Sequence, residues 1–533
     1  MYTELAKADY VYSWISGTSY RKLPSTIELL TQGGDARISV TEQGINKYGC
    51  TPYSDPGLIA FGSSTASAIS EYGFEVADEL RNRLLLALED ESPEAVYKRE
   101  LNRIRLELTS LCGLNSVPGL EIVFGASGTD LHLIAAQLSN GLIATPKLVI
   151  MPEATETGSG VPAALDSRHF SDQSALGEKV IEGSKIKNTP SVELISIAMR
   201  EANGNLRAGD SVDGEVENLV EKAVEMGQQI LLILVDTSKT GLISPSIKCA
   251  INLKKRFRSS VDILVDACQF RISNNTLRAY IEHEFMVILT GSKFMTGPVF
   301  SGALLLPNSV ANRLLSSPLP KSLTHYSARA EWPSQCAASN PLNDKTNFGL
   351  LLRWEAALEE MRRFRSIPEK QVSLFIQNFT EAIQKRLAAG VFVSAIPSRK
   401  LDRSALFDRQ ADAENWDGLP TIFSLLLYRY DANEARIPLT HNETVKIYQW
   451  LQLKPSNTKG QESIDKIAQM TRCQLGQPVL CGKHNGKPFS ALRLCLSARL
   501  IVEACINNGI YAEKVIQRAL SIINTIEGLA TRL

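Results

Sequence analysis

The stretch "FMVILTGSKFMTGPVFSGALLLP", residues 285–307, decides how this chain is read. Two short apolar runs, "FMVILT" (285–290) and "GALLLP" (302–307), bracket a loop in which Lys293 sits among small and hydroxylic residues before a Gly-Pro turn. Unbroken four- to six-residue apolar runs without alternation are what strands buried on both faces look like. Working outward, the same kind of run recurs at "LEIVFG" (120–125), "KLVIMP" (147–152), "QILLILVD" (229–236) and "VDILVDA" (261–267). Helical stretches lie between them, such as "ASGTDLHLIAAQLSN" and "PSIKCAINLKKRF". Strands alternating with helices predict an α/β domain with a mainly parallel sheet.

The chain has 533 residues, enough for more than one core, since a single core stops growing at roughly 250–300 residues. The first 74 residues are rich in Gly, Ser, Thr and Tyr and read as an ordered, loop-rich arm that joins part of a smaller domain. Residues 75–367 form the large domain. The long helical stretch after Asn347 is interrupted at Pro368, and residues 368–533 form a smaller α+β domain with strands such as "TIFSLLLYRY" and "SALRLCLSA". Basic and acidic side chains balance at 57 each, so there is no general attraction to nucleic acid or anionic membranes. No apolar run reaches the ~18–20 residues of a membrane-crossing helix, and "MYTELAKADYVYSWISG" lacks the pattern of a signal peptide. Nine scattered cysteines without a C-x-x-C pair argue against a zinc site and fit reduced thiols, which places the chain in the cytoplasm.

Three features at strand ends carry chemistry. "FGASGTD" (124–130) is a Gly-rich turn into a helix, where backbone N–H groups with Ser127 and Thr129 make a phosphate cradle; an ordinary capping turn fits as well. It matches neither the P-loop nor the G-x-G-x-x-G fingerprint, which counts against a nucleotide-binding α/β protein. "LVDACQF" (264–270) ends a strand on Asp266, whose partly desolvated carboxylate needs a donor or cation, or else merely caps the next turn. Lys293 is either a lysine made nucleophilic by a small, dry pocket or one that snorkels to the surface. A phosphate cradle, a buried acid and a lysine at carboxyl ends of strands together meet the needs of pyridoxal 5′-phosphate.

On these pieces, with "VDTSKTGLISP" (235–245) added, the chain resembles the fold-type-I pyridoxal-phosphate enzymes, and among them the class V aminotransferase and cysteine desulfurase superfamily. The resemblance implies an aspartate aminotransferase-like fold: a three-layer α/β/α large domain around a mainly parallel seven-stranded sheet, plus the smaller α+β domain. It implies Lys293 as the residue bonded to the cofactor and Asp266 as the partner of the pyridine nitrogen. Gln269 would lie beside the phenolic oxygen. Ser127, Gly128 and Thr129 would hold the phosphate, helped by Thr290 and Ser292, and Ser238 joins the cofactor-binding set. Arg493, with Arg499 as rival, would receive the substrate carboxylate. Thr346 and Asn347, in "NDKTNFGLLLRWEAALEE", would reach a neighbouring subunit's phosphate in a homodimer, or cap their own helix.

Two departures from that pattern stand out. Ser292 replaces a usual histidine, and "MPEATETGSGVPAAL" (151–165) has no ring to stack on the cofactor, leaving Glu156, Thr157 or another segment to cover it. The expected reaction is aminotransferase-type on an amino acid. A β- or γ-lyase or replacement enzyme is the alternative, and a cofactor-binding regulatory protein is a third. Cys336, in "EWPSQCAASN", is the one loop cysteine to weigh for desulfurase chemistry, and an inert thiol is the favoured reading. Extra material near 151–220 and 400–480 suggests a large or unusual substrate.

Overall fold

The computed structural model describes residues 23–138, 147–189, 192–315, 318–409, 415–431, 434–452 and 472–533. The quoted apolar runs become strands of one sheet: β2 (Glu121–Gly125), β3 (Lys147–Pro152), β4 (Val192–Ile197), β5 (Gln229–Asp236), β6 (Ile243–Ser244), β7 (Val261–Ala267), β8 (Met286–Thr290) and β9 (Gly302–Leu306), with β1 (Ile59–Phe61) preceding them in the chain. Seven of them follow the order β2-β9-β8-β7-β5-β3-β4, and two-residue β6 hangs off β5. The β8–β7–β5–β3–β4 pairs are all parallel, while β9 runs against both of its neighbours, so β2 points the same way as β8. The expected α/β architecture with a mainly parallel seven-stranded sheet is present. Continuous apolar runs suit it because both faces are covered: β3, β8 and β9 are buried at every position.

Helices supply that cover. In chain order they are α1 (Thr26–Leu30), α2 (Glu71–Asp90), α3 (Pro93–Leu111), α4 (Gly128–Leu138), α5 (Val161–Leu165), α6 (Gly209–Glu225), α7 (Ile247–Arg256), α8 (Asn274–Glu282), α9 (Asn308–Ala311) and α10 (Phe348–Arg365). Their starts are written in the sequence: Ser70, Ser92, Ser246 and Ser273 each accept a first-turn N–H, and Pro93 occupies the first turn of α3, where its missing N–H costs nothing. Helix α10 is buried along most of its length and packs on α2 and α3. It stops at Arg365, and Pro368 begins α11 (Glu369–Ala388), because proline's fixed geometry cannot continue a helix.

The second sheet has the order β1-β13-β14-β11-β10, with β12 beside β11. It is built from β10 (Val393–Ala395), β11 (Ile422–Tyr430), β12 (Arg436–Pro438), β13 (Cys473–His484) and β14 (Lys487–Cys495), with α12 (His441–Trp450), α13 (Ala498–Gly509) and α14 (Ala512–Ala530) alongside. Strand β1 lies parallel to β13, which ties the N-terminal arm into this C-terminal sheet. The 151–220 stretch contributes α5, β4 and the first part of α6 to the large domain, and 166–189 is irregular with isolated bridges. Residues 1–22 of the arm, and 410–414, 432–433 and 453–471 of the 400–480 stretch, lie outside the described residues. Among the described residues, no helix is long and apolar enough to cross a membrane.

Candidate active site

Parallel strands put their carboxyl ends on one edge of the sheet. The turn after β2, the end of β7 and the loop after β8 therefore meet there, around a cavity of about 200 Å³. The β2 turn enters α4 directly, so the N–H groups of Gly128 and Thr129 precede the helix's own hydrogen bonds and lie at the positive end of the helix dipole, which suits an anion. Gly128 has to be glycine: a Cβ there would lie 2.5 Å from Cys268 Sγ. Ser127 donates from Oγ (2.5 Å) and from its N–H (2.8 Å) to the Asp130 carboxyl. Burial, with Asp35 nearby, pushes Asp130 up to about 7.

At the end of β7, Asp266 faces His132 of α4. The ring's Nδ1 lies 2.7 Å from the Gly128 carbonyl, which can only accept, so Nδ1 carries a hydrogen and Nε2 is turned toward Asp266 Oδ2 at 3.5 Å. Burial pushes Asp266 up, but the His132 ring and Lys293 outweigh it and hold this carboxyl well below the usual carboxylate range. That favours a buried carboxylate anion at neutral pH.

The lysine loop closes on itself. Gly291 donates to Ser301 O (2.9 Å), Gly297 to Gly291 O (2.8 Å) and Thr296 to Lys293 O (3.0 Å). Thr296 and Phe300 hold positive φ values of 59° and 69°, sparsely populated for non-glycine residues, in the loop that presents Lys293. Thr290 and Ser292 line the same cavity, as do Ser127, Gly128 and Thr129.

Arg493 reaches the cavity from β14. Its Nε and Nη2 donate to Gln477 O, and Nη2 also to Thr65 Oγ1 at 2.9 Å, while Nη1 is buried with no partner. Ser64 Oγ, also on the cavity wall, is likewise buried without a hydrogen bond. Buried polar atoms are almost always satisfied, so two orphans on one cavity wall mark a place for a polar ligand.

Several lining groups come from segments that carried no sequence signal. Arg37 of the N-terminal arm is gripped by buried Asp35 (Nε–Oδ1 2.8 Å, Nη2–Oδ2 2.5 Å) and donates to Ser127 Oγ (3.2 Å) and Thr129 Oγ1 (3.3 Å). It therefore sits on the two hydroxyls of the expected phosphate loop. Lys239, in the turn after β5 and within the 235–245 motif quoted above, also lines the cavity.

Other expected residues are placed elsewhere. Gln269 is buried off the cavity wall, donating to Ser64 O (3.0 Å) and accepting from Arg271 Nε (3.3 Å). Ser238 donates to Glu156 Oε2 (2.8 Å). Arg499 is ion-paired with Glu360 (2.6 Å) and lines a different cavity. Asn347 caps α10, accepting from Leu350 N–H (3.1 Å) and donating to Gly33 O (2.9 Å), and neither it nor half-buried Thr346 lines the Lys293 cavity. Glu156 and Thr157 do not line it either; Gly158 and Ser159 do, and the rings on its wall are Tyr48, Phe300 and the His132 imidazole. Cys336 is buried in another cavity, and burial pushes its thiol up.

No family model matches this chain, and no curated protein matches it. Solved structures do. A NifS-like protein from Rickettsia africae is 13% identical with a TM-score of 0.49, over 89% of this chain and 99% of that one. Another NifS-like protein is 12% identical with a TM-score of 0.48, over 88% and 99%. A variant serine palmitoyltransferase from S. paucimobilis, with a PLP–myriocin aldimine bound, is 10% identical with a TM-score of 0.44, over 88% of each chain. At these values the similarity carries no argument about chemistry, which rests on the cavity's own residues.

Proposed function

We propose that this chain is a fold-type-I pyridoxal 5′-phosphate-dependent enzyme that acts on an amino acid, in an aminotransferase-type reaction. One observation supports this most: Lys293, the ionised Asp266 and the N-terminus of α4 share one cavity whose wall leaves Ser64 Oγ and Arg493 Nη1 without hydrogen-bond partners. The donor set fits the group at each end. The first turn of α4, with Ser127, Thr129, Thr290, Ser292 and Arg37, suits a phosphate. Asp266 suits a protonated ring nitrogen, and Lys293 suits an aldehyde carbon.

When bound, the cofactor supplies an electron sink for the charge left on a substrate carbon that loses a proton. The residues do the rest. Arg493 clamps the substrate α-carboxylate through its free Nη1, fixing which bond at the α-carbon faces Lys293. Lys293 Nζ would take that proton and return it, and Asp266, steadied by His132, would hold a proton on the ring nitrogen. Cys336 lies outside the cavity, so it supplies no sulfur-accepting thiol there. The test is to add pyridoxal phosphate, reduce with borohydride, and map the modified residue by mass spectrometry, with an amino-acid screen for 2-oxo acid formation. Label on Lys293 and amino-acid-dependent 2-oxo acid support the reading; no label on Lys293 overturns it.

A further inference from the structure

Arg493 is not the only cation without an acidic partner on this cavity. Lys239 leaves the sheet at β5, on the far side of β7 and β8 from the phosphate-loop turn after β2. Its backbone N–H donates to Glu156 O (2.9 Å) and its Nζ to Ala154 O (3.1 Å), which aims the side chain along the 151–165 loop. Glu156 is the nearby acid that could neutralise it, but that carboxylate is already committed. It accepts from Ser238 Oγ (2.8 Å), Thr240 N–H (3.1 Å), Thr240 Oγ1 (2.7 Å) and Arg200 Nε (3.4 Å). Asp266 is likewise engaged with His132. Among the described residues, neither Lys239 nor Arg493 forms an ion pair with a carboxylate, and both line the Lys293 cavity.

Burial pulls Lys239 down to about 8, with Arg493 and Lys293 adding to the effect and Glu156 and Asp266 opposing it. A half-buried cation held beside two others is costly unless an anion arrives to pair with it. Arg37, the remaining cation on the wall, already has Asp35. Two unpaired cations remain for the substrate once Lys293 is bonded to the cofactor.

We propose that Lys239 and Arg493 together select an amino acid with a second anionic group, Arg493 taking the α-carboxylate and Lys239 the side-chain carboxylate, sulfinate or sulfonate. This rests on the reading under Proposed function, which assigns Lys293 to the cofactor and Arg493 to the α-carboxylate. Lys239 is then a specificity-determining residue, supplied by a turn whose shape the Glu156 cluster fixes.

The test uses the holoenzyme and calorimetric titration with succinate and glutarate against butyrate and valerate. The wild type is expected to bind the diacids about tenfold tighter, the scale of one charge-assisted hydrogen bond. Lys239→Gln should lose that preference while holding the monoacids within about twofold, and Lys239→Arg should keep it. Equal affinity for mono- and diacids in the wild type, or an unchanged preference in Lys239→Gln, overturns the proposal. The wild-type comparison decides even if a variant fails to fold. A protein labelled on Lys293 that shows no diacid preference sinks this inference alone; a diacid preference in a protein that takes no label sinks the cofactor reading instead.

Discussion

The Arg37–Asp35 pair offers a prediction in which stability and cofactor affinity separate. Arg37→Gln removes the guanidinium that donates to Ser127 Oγ and Thr129 Oγ1, and it strands Asp35, which is fully buried. Breaking a buried pair from one side costs about 3–5 kcal/mol, because the remaining charge is left uncompensated. Losing one charge-assisted hydrogen bond to a phosphate costs ~1.5–3 kcal/mol. Asp35 already neutralises much of Arg37's long-range field, so the lower end applies, roughly tenfold in Kd. The double variant Asp35→Asn/Arg37→Gln should recover most of the stability but none of the affinity. Asp35→Asn alone should bind the cofactor more tightly, since Arg37 then keeps its full charge. Urea unfolding of the apo-protein reads the first quantity, and fluorescence titration of the apo-protein with pyridoxal phosphate reads the second. Cofactor affinity within twofold of wild type in both Arg37→Gln proteins would refute the assignment of Arg37 to the phosphate.

Two further outcomes follow from the same turn. Gly128→Ala should lose about 1–3 kcal/mol through overpacking against Cys268 Sγ, and adding Cys268→Ala should restore part of it in urea unfolding. Asp130 has a raised folded-state value, about 7 against an ordinary 3.8, so the folded apo-protein holds this proton longer than the unfolded chain. Its contribution to stability is complete below about 3.8 and is lost as pH rises to about 7, with a slope of up to about 1.4 kcal/mol per pH unit. Asp130→Asn should remove that fall from a pH series of unfolding midpoints; an unchanged pH dependence would contradict it.

How far the sequence could be read depended on how local each signal was. Buried parallel strands announce themselves as "FMVILT" or "QILLILVD", and whatever follows such a run stands at the sheet's carboxyl edge. That is why Lys293, Asp266, Ser127 and Thr129 were legible and why they meet. The end of α10 and the start of α11 were legible too, because Pro368 cannot sit inside a helix. Arg37, Ser64 and Thr65 were not, since they arrive from loops whose path is set by tertiary packing. The Asp-x-Arg spacing of Asp35 and Arg37 was the one available hint. His132 hid within the apolar "LHLIAAQL" of α4, where its four-residue separation from Gly128 looks like ordinary helix spacing. Arg493 and Arg499 are alike in sequence, and only the Glu360 carboxylate at 2.6 Å from one and the unpartnered Nη1 of the other separate them.

The central claim is that Lys293 is the residue that bonds the cofactor. The most direct measurement is intact-mass and peptide-mass analysis after incubation with pyridoxal phosphate and borohydride reduction, on wild type and Lys293→Ala in parallel. One phosphopyridoxyl group per chain, on the peptide containing Lys293 and absent from Lys293→Ala, is the predicted result. A label carried by Lys239 or another lysine in the wild type, or none at all, would contradict the account.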